Sequence, residues 1–201
     1  MTLNGWVPSE NEFAWGLPGK VAPFAEGFDP LGFTNLASLG EMKRYREAEV
    51  THGRVAMLAA LGFIVAERYH PLFGLSGVEL LAIDALTMVR KVLPSFFELL
   101  VISISTSEFY RALRGWALPN YATGVAKGDL LNDDYYPGDI GFDPLGLKPI
   151  DMEEFEIMQT KELQNGRLAM LGIAGMVAQE LVDRKPILSS IYDLYYGTKN
   201  M

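Results

Sequence analysis

The chain has 201 residues, with 17 Lys+Arg against 25 Asp+Glu and a formal charge of −8, a length that suits one domain or two small ones. That sign is wrong for phosphate attraction and sets nucleic-acid binding aside. No cysteine is present, which excludes disulfide scaffolds, thiolate metal sites and Cys nucleophiles, and two histidines, His52 and His70, leave little room for a multi-His centre.

Hydrophobic residues make up 49% of the chain and mean hydropathy is +0.12, a balance that fits about half the length lying in a membrane. The opening MTLNGWVPSENEFAWGLPG has neither the basic head and apolar run of a secretory signal nor the Arg/Ser bias of a transit peptide. Residues 1–40 read as an N-terminal extension. A first helix is expected over 41–70, since EMKRYREAEVTHGR holds no breaker before Gly53 and Pro71 follows His70. Thirty helical residues span about 45 Å, more than a bilayer core of roughly 30 Å, so such a helix would tilt or protrude. A second helix is expected over 92–114, with Pro94 in its first turn and Gly115 as its stop. A third is expected over 151–183, before Pro186, and a short amphipathic surface helix over 187–196 places Tyr192, Tyr195 and Tyr196 at headgroup depth. Charges interrupt or flank each apolar run, so hydropathy alone also permits a soluble bundle with three buried helices.

An internal repeat separates these readings. At a shift of 113, residues 49–67 lie over 162–180 with Glu49/Glu162, Gly53/Gly166, Arg54/Arg167, Ala56/Ala169, Met57/Met170, Leu58/Leu171, Gly62/Gly175 and Glu67/Glu180 identical. Upstream, Gly27-Phe28-Asp29-Pro30-Leu31-Gly32 matches Gly141-Phe142-Asp143-Pro144-Leu145-Gly146 at a shift of 114. The unit is a GFDPLG loop, a polar run-in, then E-x-x-[HN]-G-R-x-A-M-L; the middle helix has no second copy. A duplicated helix suggests a pseudo-two-fold crossed pair. Glu49 and Arg54 are about 140° apart around their helix, as are Glu162 and Arg167, so neither arginine easily neutralises its own helix's carboxylate. Reciprocal pairs, Glu49 with Arg167 and Glu162 with Arg54, are the simple solution, and the small residues Gly53, Ala56, Ala59, Gly62, Gly166, Ala169, Gly172 and Gly175 would permit close approach.

His52 and Asn165 occupy equivalent positions and share one property, an available lone pair. A proton relay would want titrating groups at both, and an enzyme would want a base beside a nucleophile. Single lone-pair donors of unmatched chemistry suggest axial ligands to separately held metals. Magnesium in a tetrapyrrole needs one such ligand and accepts carboxylate, amide oxygen or imidazole.

The doubled E-x-x-[HN]-G-R-x-A-M motif, each copy behind a GFDPLG loop, resembles the light-harvesting chlorophyll-binding family from about Phe24 to Val182. Glu108-Phe109-Tyr110-Arg111 is similar to the family's E-x-x-R ligand site. The stretch Trp15-Gly16-Leu17-Pro18-Gly19 and the short loops resemble its chlorophyll a/c branch, which includes fucoxanthin–chlorophyll proteins. The resemblance implies an all-α membrane protein of three transmembrane helices, the first and third crossed. It implies chlorophyll ligands at Glu49, His52, Glu108, Glu162, Asn165 and Gln179, the last fourteen residues beyond Asn165. Arg54 and Arg167 would be the crossed ion-pair arginines and Arg111 the charge partner of Glu108. Asp29 and Asp143 would lie by the end rings of two carotenoids. A second polar ligand before Glu108 would fall in ELLVISIS, where this chain has apolar residues and serines.

The implied function is a thylakoid antenna of the plastid that is not an enzyme. It would hold chlorophyll a, chlorophyll c and carotenoids of the fucoxanthin or a related xanthophyll type among membrane lipids. Its partners would be a photosystem core and neighbouring antenna subunits. A photoprotective, quenching member would want clustered lumenal acids, for which Glu67, Asp84, Glu180 and Asp183 are available but scattered in sequence. A pseudo-symmetric transporter would need a hydrated path at mid-membrane. Lys43, Arg44 and Arg46 favour the start of the first helix as the stromal side, and Arg90 and Lys91 oppose it. Trp6, Trp15 and Trp116 read as interface anchors or pigment neighbours, and His70 as a helix-end residue.

Overall fold

The computed structural model describes residues 3–68, 81–117 and 131–197. Among the described residues six α-helices run in chain order: α1 Phe33–Leu36, α2 Leu39–Arg68, α3 Ala82–Val92, α4 Ser95–Gly115, α5 Met152–Asp183 and α6 Ile187–Gly197. Among the described residues there is no strand, only two isolated bridges, Leu3 with Trp6 and Trp116 with Leu131. The described part of the protein is therefore helical without strands, as an all-α fold requires. By length and composition, one described helix, Leu39–Arg68, is long and apolar enough to cross a membrane. His70 and the last residues of the helix expected over 41–70 lie outside the described residues.

Local sequence starts these helices. Ser38 and Glu41 form a capping box: the Glu41 carboxylate accepts from the Ser38 N–H at 2.8 Å, and Ser38 Oγ accepts from the Glu41 N–H at 3.4 Å. α2 accordingly begins at Leu39, two residues before the sequence expectation. Asp151 accepts from the Glu154 N–H ahead of α5, and Glu153 and Glu154 in the first turn favour that end of the macrodipole. α4 starts just after Pro94 and stops at Gly115, where Asn132 donates to the Gly115 and Arg114 carbonyls. A Cβ on Gly115 would lie 3.1 Å from the Tyr135 ring, so the stop is also a close approach.

α3 has no counterpart in the sequence reading. It has 11 residues and no side-chain N-cap of its own. Its first N–H groups, on Ala82 and Ile83, donate to Glu180 at 3.0 and 2.9 Å, from a residue 98 and 97 positions away. The cap is tertiary, so local chemistry does not announce the helix.

The chain divides into two compact units, 1–53 with 106–165 and 54–105 with 166–201. In the first, a small core of Trp6, Ala14, Leu17, Met42 and Tyr136 packs against one face of α2. Trp6 meets Tyr136 edge-on at 5.9 Å and donates its indole N–H to the Trp15 carbonyl, and Trp15 donates to Ala37. The first two tryptophans are thus parts of the unit's packing. Lys43, Arg46 and Glu47 are buried on the same face. Lys43 donates to the carbonyls of Asn132 and Asp133, and Arg46 to that of Pro18. Two of the three cations that favoured a stromal start for α2 therefore staple loops, and Arg44 alone of the three is exposed.

In the second unit the repeat extends past the sequence motif. Glu67 near the end of α2 accepts from Ile187 and Leu188 at the start of α6, at 2.7 and 2.9 Å, as Glu180 near the end of α5 does for α3. Each long helix caps the short helix that follows the other. The two carboxyl groups are buried neighbours.

Candidate functional site

The repeat places its polar residues alike in both copies. Glu49 and Glu162 are half-buried, Gly53 and Gly166 buried, Arg54 and Arg167 half-buried, and His52 and Asn165 exposed. On α2, His52 Nδ1 lies 2.7 Å from the Ala48 carbonyl, four residues back. A carbonyl only accepts, so the ring proton sits on Nδ1 and the Nε2 lone pair is left for another partner. On α5, Asn165 Nδ2 donates to the Lys161 carbonyl at 2.8 Å, again four residues back, which leaves Oδ1. Two different side chains thus arrive at one arrangement, with the donor tied to the helix and the acceptor exposed.

The surface beyond those acceptors is largely apolar. Asn165, Leu168, Gly172, Gly175 and Gln179 form an exposed stripe at helical spacing, and His52, Val55, Ala59 and Gly62 form its counterpart. A Cβ at Gly62, Gly172 or Gly175 would meet nothing within 4 Å. The small residues named in the repeat therefore divide: Gly53, Ala56 and Gly166 are buried and Ala169 half-buried, while Ala59, Gly62, Gly172 and Gly175 face outward. An outward lone pair beside a strip that narrows to glycines fits a planar macrocycle better than a compact ion. Gln179 lies about 21 Å along the axis from Asn165 and within about 40° of its direction, so it shares the strip.

Glu108 is ordered by its own helix. Arg111 bonds its Oε2 through both Nη2 at 2.5 Å and Nε at 3.0 Å. Both donors converge on one oxygen, leaving Oε1 outside the fork, and the side chain is 52% exposed. Around it α4 exposes Leu99, Val101, Ile102, Ile104, Phe109 and Leu113. So apolar a surface on a helix of this length needs covering by something other than water. Glu49 Oε2 lies 3.2 Å from Arg46 Nε.

The two GFDPLG loops use their aspartates as folding staples. Asp29 accepts from the Thr34 hydroxyl and N–H at 2.6 and 2.7 Å, and Asp143 from the Leu147 and Lys148 N–H groups at 2.9 Å each. Those bonds, the Thr34 hydroxyl first for Asp29 and the Lys148 N–H first for Asp143, hold both carboxyls below the usual range. Gly32 and Gly146, at φ 71° and 63°, close the loops in the left-handed region that a side chain resists.

Among the described residues no three His, Asp or Glu side chains converge as a metal cluster. The candidate ligands stand singly on helix faces. A cleft of about 350 Å³ lined by Trp6, Tyr136, Phe155 and Gln159 contains none of them.

Sequence reading missed Glu47. Its buried carboxylate accepts from the Tyr135 hydroxyl at 3.0 Å, the Gly138 N–H at 2.6 Å and Arg111 Nη1 at 3.1 Å. Burial first, then the Glu47 charge, push the Tyr135 phenol well up, so it remains a donor. At a shift of 113 the equivalent of Glu47 is Thr160, so the repeat gave no hint of it. The available signal was its place on the α2 face between Met42 and Val50.

Residues 13–181 match the family described as "Chlorophyll A-B binding protein". The chain is 50% identical over 194 residues to light-harvesting complex stress-related protein 3.2, chloroplastic, of Chlamydomonas reinhardtii, covering 92% of this chain and 71% of that protein. It is 49% identical over 176 residues to a fucoxanthin-chlorophyll a-c binding protein, chloroplastic, of Isochrysis galbana, covering 88% and 81%. Against chlorophyll a-b binding protein 8, chloroplastic, of Solanum lycopersicum, identity is 32% over 197 residues, covering 88% and 70%.

Proposed function

The chain belongs to the chlorophyll a-b binding family of light-harvesting proteins, and from that premise we propose that it is a plastid thylakoid antenna that crosses the membrane with α2, α4 and α5. It holds chlorophyll a, chlorophyll c and xanthophylls of the fucoxanthin type and delivers excitation to a photosystem through neighbouring antenna subunits. The bound chlorophylls supply light absorption and excitation transfer; the chain positions them, and as a member of this family it is not an enzyme. The observation that carries the reading is the matched arrangement at His52 and Asn165, each with its donor tied to the carbonyl four residues back and its acceptor exposed. The His52 imidazole nitrogen and the Asn165 amide oxygen would each serve as a ligand to a chlorophyll magnesium. Glu49, Glu162, Glu108 and Gln179 complete the proposed ligand set. Reciprocal pairs, Glu49 with Arg167 and Glu162 with Arg54, offset the charge of the first two. The loops shaped by Asp29 and Asp143 would receive the carotenoid end rings.

The test is assembly of the purified polypeptide with chlorophylls a and c and a xanthophyll mixture. The assembled protein should show chlorophyll Soret and Qy bands through purification, and Gln179→Leu should lower the chlorophyll-to-protein ratio by about one. A preparation that retains no chlorophyll sinks the reading. An unchanged ratio in Gln179→Leu returns that residue to a packing role.

A second reading, a photoprotective member, is favoured by the Glu67–Glu180 pair. These two acids are brought together and buried, unlike the scattered set the sequence suggested. Each of them caps a short helix through two backbone N–H groups. If quenching is part of the function, acidification should shorten the chlorophyll fluorescence lifetime of the assembled protein, and the Glu67→Gln/Glu180→Gln variant should lose that response. A lifetime insensitive to pH in the unaltered protein favours harvesting alone.

A further inference from the structure

Arg111 stands between two carboxylates. Its Nη1 bonds Glu47 Oε1 at 3.1 Å while Nε and Nη2 both bond Glu108 Oε2. Guanidinium and carboxylate prefer a two-by-two fork in which two N–H groups meet two oxygens. Here the fork on Glu108 is incomplete, and Oε1 is left over. What holds Arg111 in this posture is Glu47. That carboxylate is itself fixed, because Tyr135 and Gly138 occupy its Oε2 and burial leaves it no room to turn.

We propose that Glu47 is a positioning residue for the middle-helix pigment: by drawing one arm of Arg111 to itself, it keeps Glu108 Oε1 clear for a metal. Without Glu47, Arg111 closes a symmetric fork over both Glu108 oxygens and the ligand atom is lost. The inference rests on the proposed role of Glu108 as a chlorophyll ligand. It also ties occupancy of that pigment to the loop that carries Tyr135 and Gly138.

The test compares Glu108→Leu, Glu47→Gln and Glu47→Gln/Arg111→Gln after assembly with chlorophylls a and c and xanthophyll. Glu108→Leu should lose about one chlorophyll per protein. Glu47→Gln should lose the same pigment, so that the two difference absorption spectra against the unaltered protein overlay. In the double variant no guanidinium remains to cover Oε1, and the chlorophyll should return. A generally structural role for Glu47 predicts no such rescue. The inference is overturned if Glu47→Gln keeps its full chlorophyll while Glu108→Leu loses one, or if the double variant loses as much as Glu47→Gln. If Glu47→Gln does not assemble, the double variant, which carries no orphaned cation, decides alone. A Glu108→Leu variant with unchanged chlorophyll defeats the ligand reading itself, a different outcome from failure of the positioning role.

Discussion

Glu47→Leu is expected to lower the thermal midpoint of the assembled protein by roughly 10 °C, followed through visible circular dichroism of the pigments. The substitution removes one carboxylate and strands three donors: the Arg111 guanidinium, the Tyr135 hydroxyl and the Gly138 N–H. Breaking a buried ion pair by deleting one partner costs about 3–5 kcal/mol, and each further unsatisfied buried donor adds about 1–3 kcal/mol where water cannot reach it. Leucine is close in volume, so the loss is one of partners and not of packing. Glu47→Gln should be milder, since its amide oxygen still accepts from Gly138 or Tyr135. A midpoint within 2 °C or so of the unaltered protein would show that Glu47 is not the staple its contacts describe. Alanine at exposed Glu26 is the control and should move the midpoint little.

The difference between Glu47 and the ligands explains what could be read beforehand. His52, Asn165 and the loop aspartates occur twice, and duplication makes a spacing visible without any contact map. The start of α2 was near its capping box, and the stop of α4 was written in Gly115. Glu47, Lys43 and Arg46 form their contacts with residues far along the chain, and each looks like an ordinary solvated charge in EMKRYREAEV. α3 is hidden for the same reason, because its cap comes from Glu180. Glu67 and Glu180 were visible as a matched pair, but their pairing and the helices they cap depend on tertiary placement. Charge counting likewise gave no sign that Lys43 and Arg46 are buried staples. In a protein whose apolar faces are turned outward, hydropathy says little about which polar residues lie within.

The equivalence of His52 and Asn165 leads to a sharper expectation than the loss of a pigment. His52→Leu should lower the chlorophyll-to-protein ratio by about one, because a leucine has no lone pair. His52→Asn should keep the ratio at its unaltered value. An asparagine at that position can donate Nδ2–H to the Ala48 carbonyl as Asn165 does to Lys161, at the same four-residue spacing in the same helical geometry. Its Oδ1 then takes the place of Nε2, and magnesium, a hard cation, accepts amide oxygen readily. The Qy band of that pigment should shift, since the axial donor differs, while its amplitude remains. Asn165→His is the converse and should also retain its pigment, whereas Asn165→Leu should lose it. Retention in both exchanges with loss in both leucine variants would establish that the helix selects a tied donor and an exposed acceptor, not a particular side chain. If His52→Asn loses as much chlorophyll as His52→Leu, the backbone tie is incidental. The two halves of the repeat would then hold their metals by separate means.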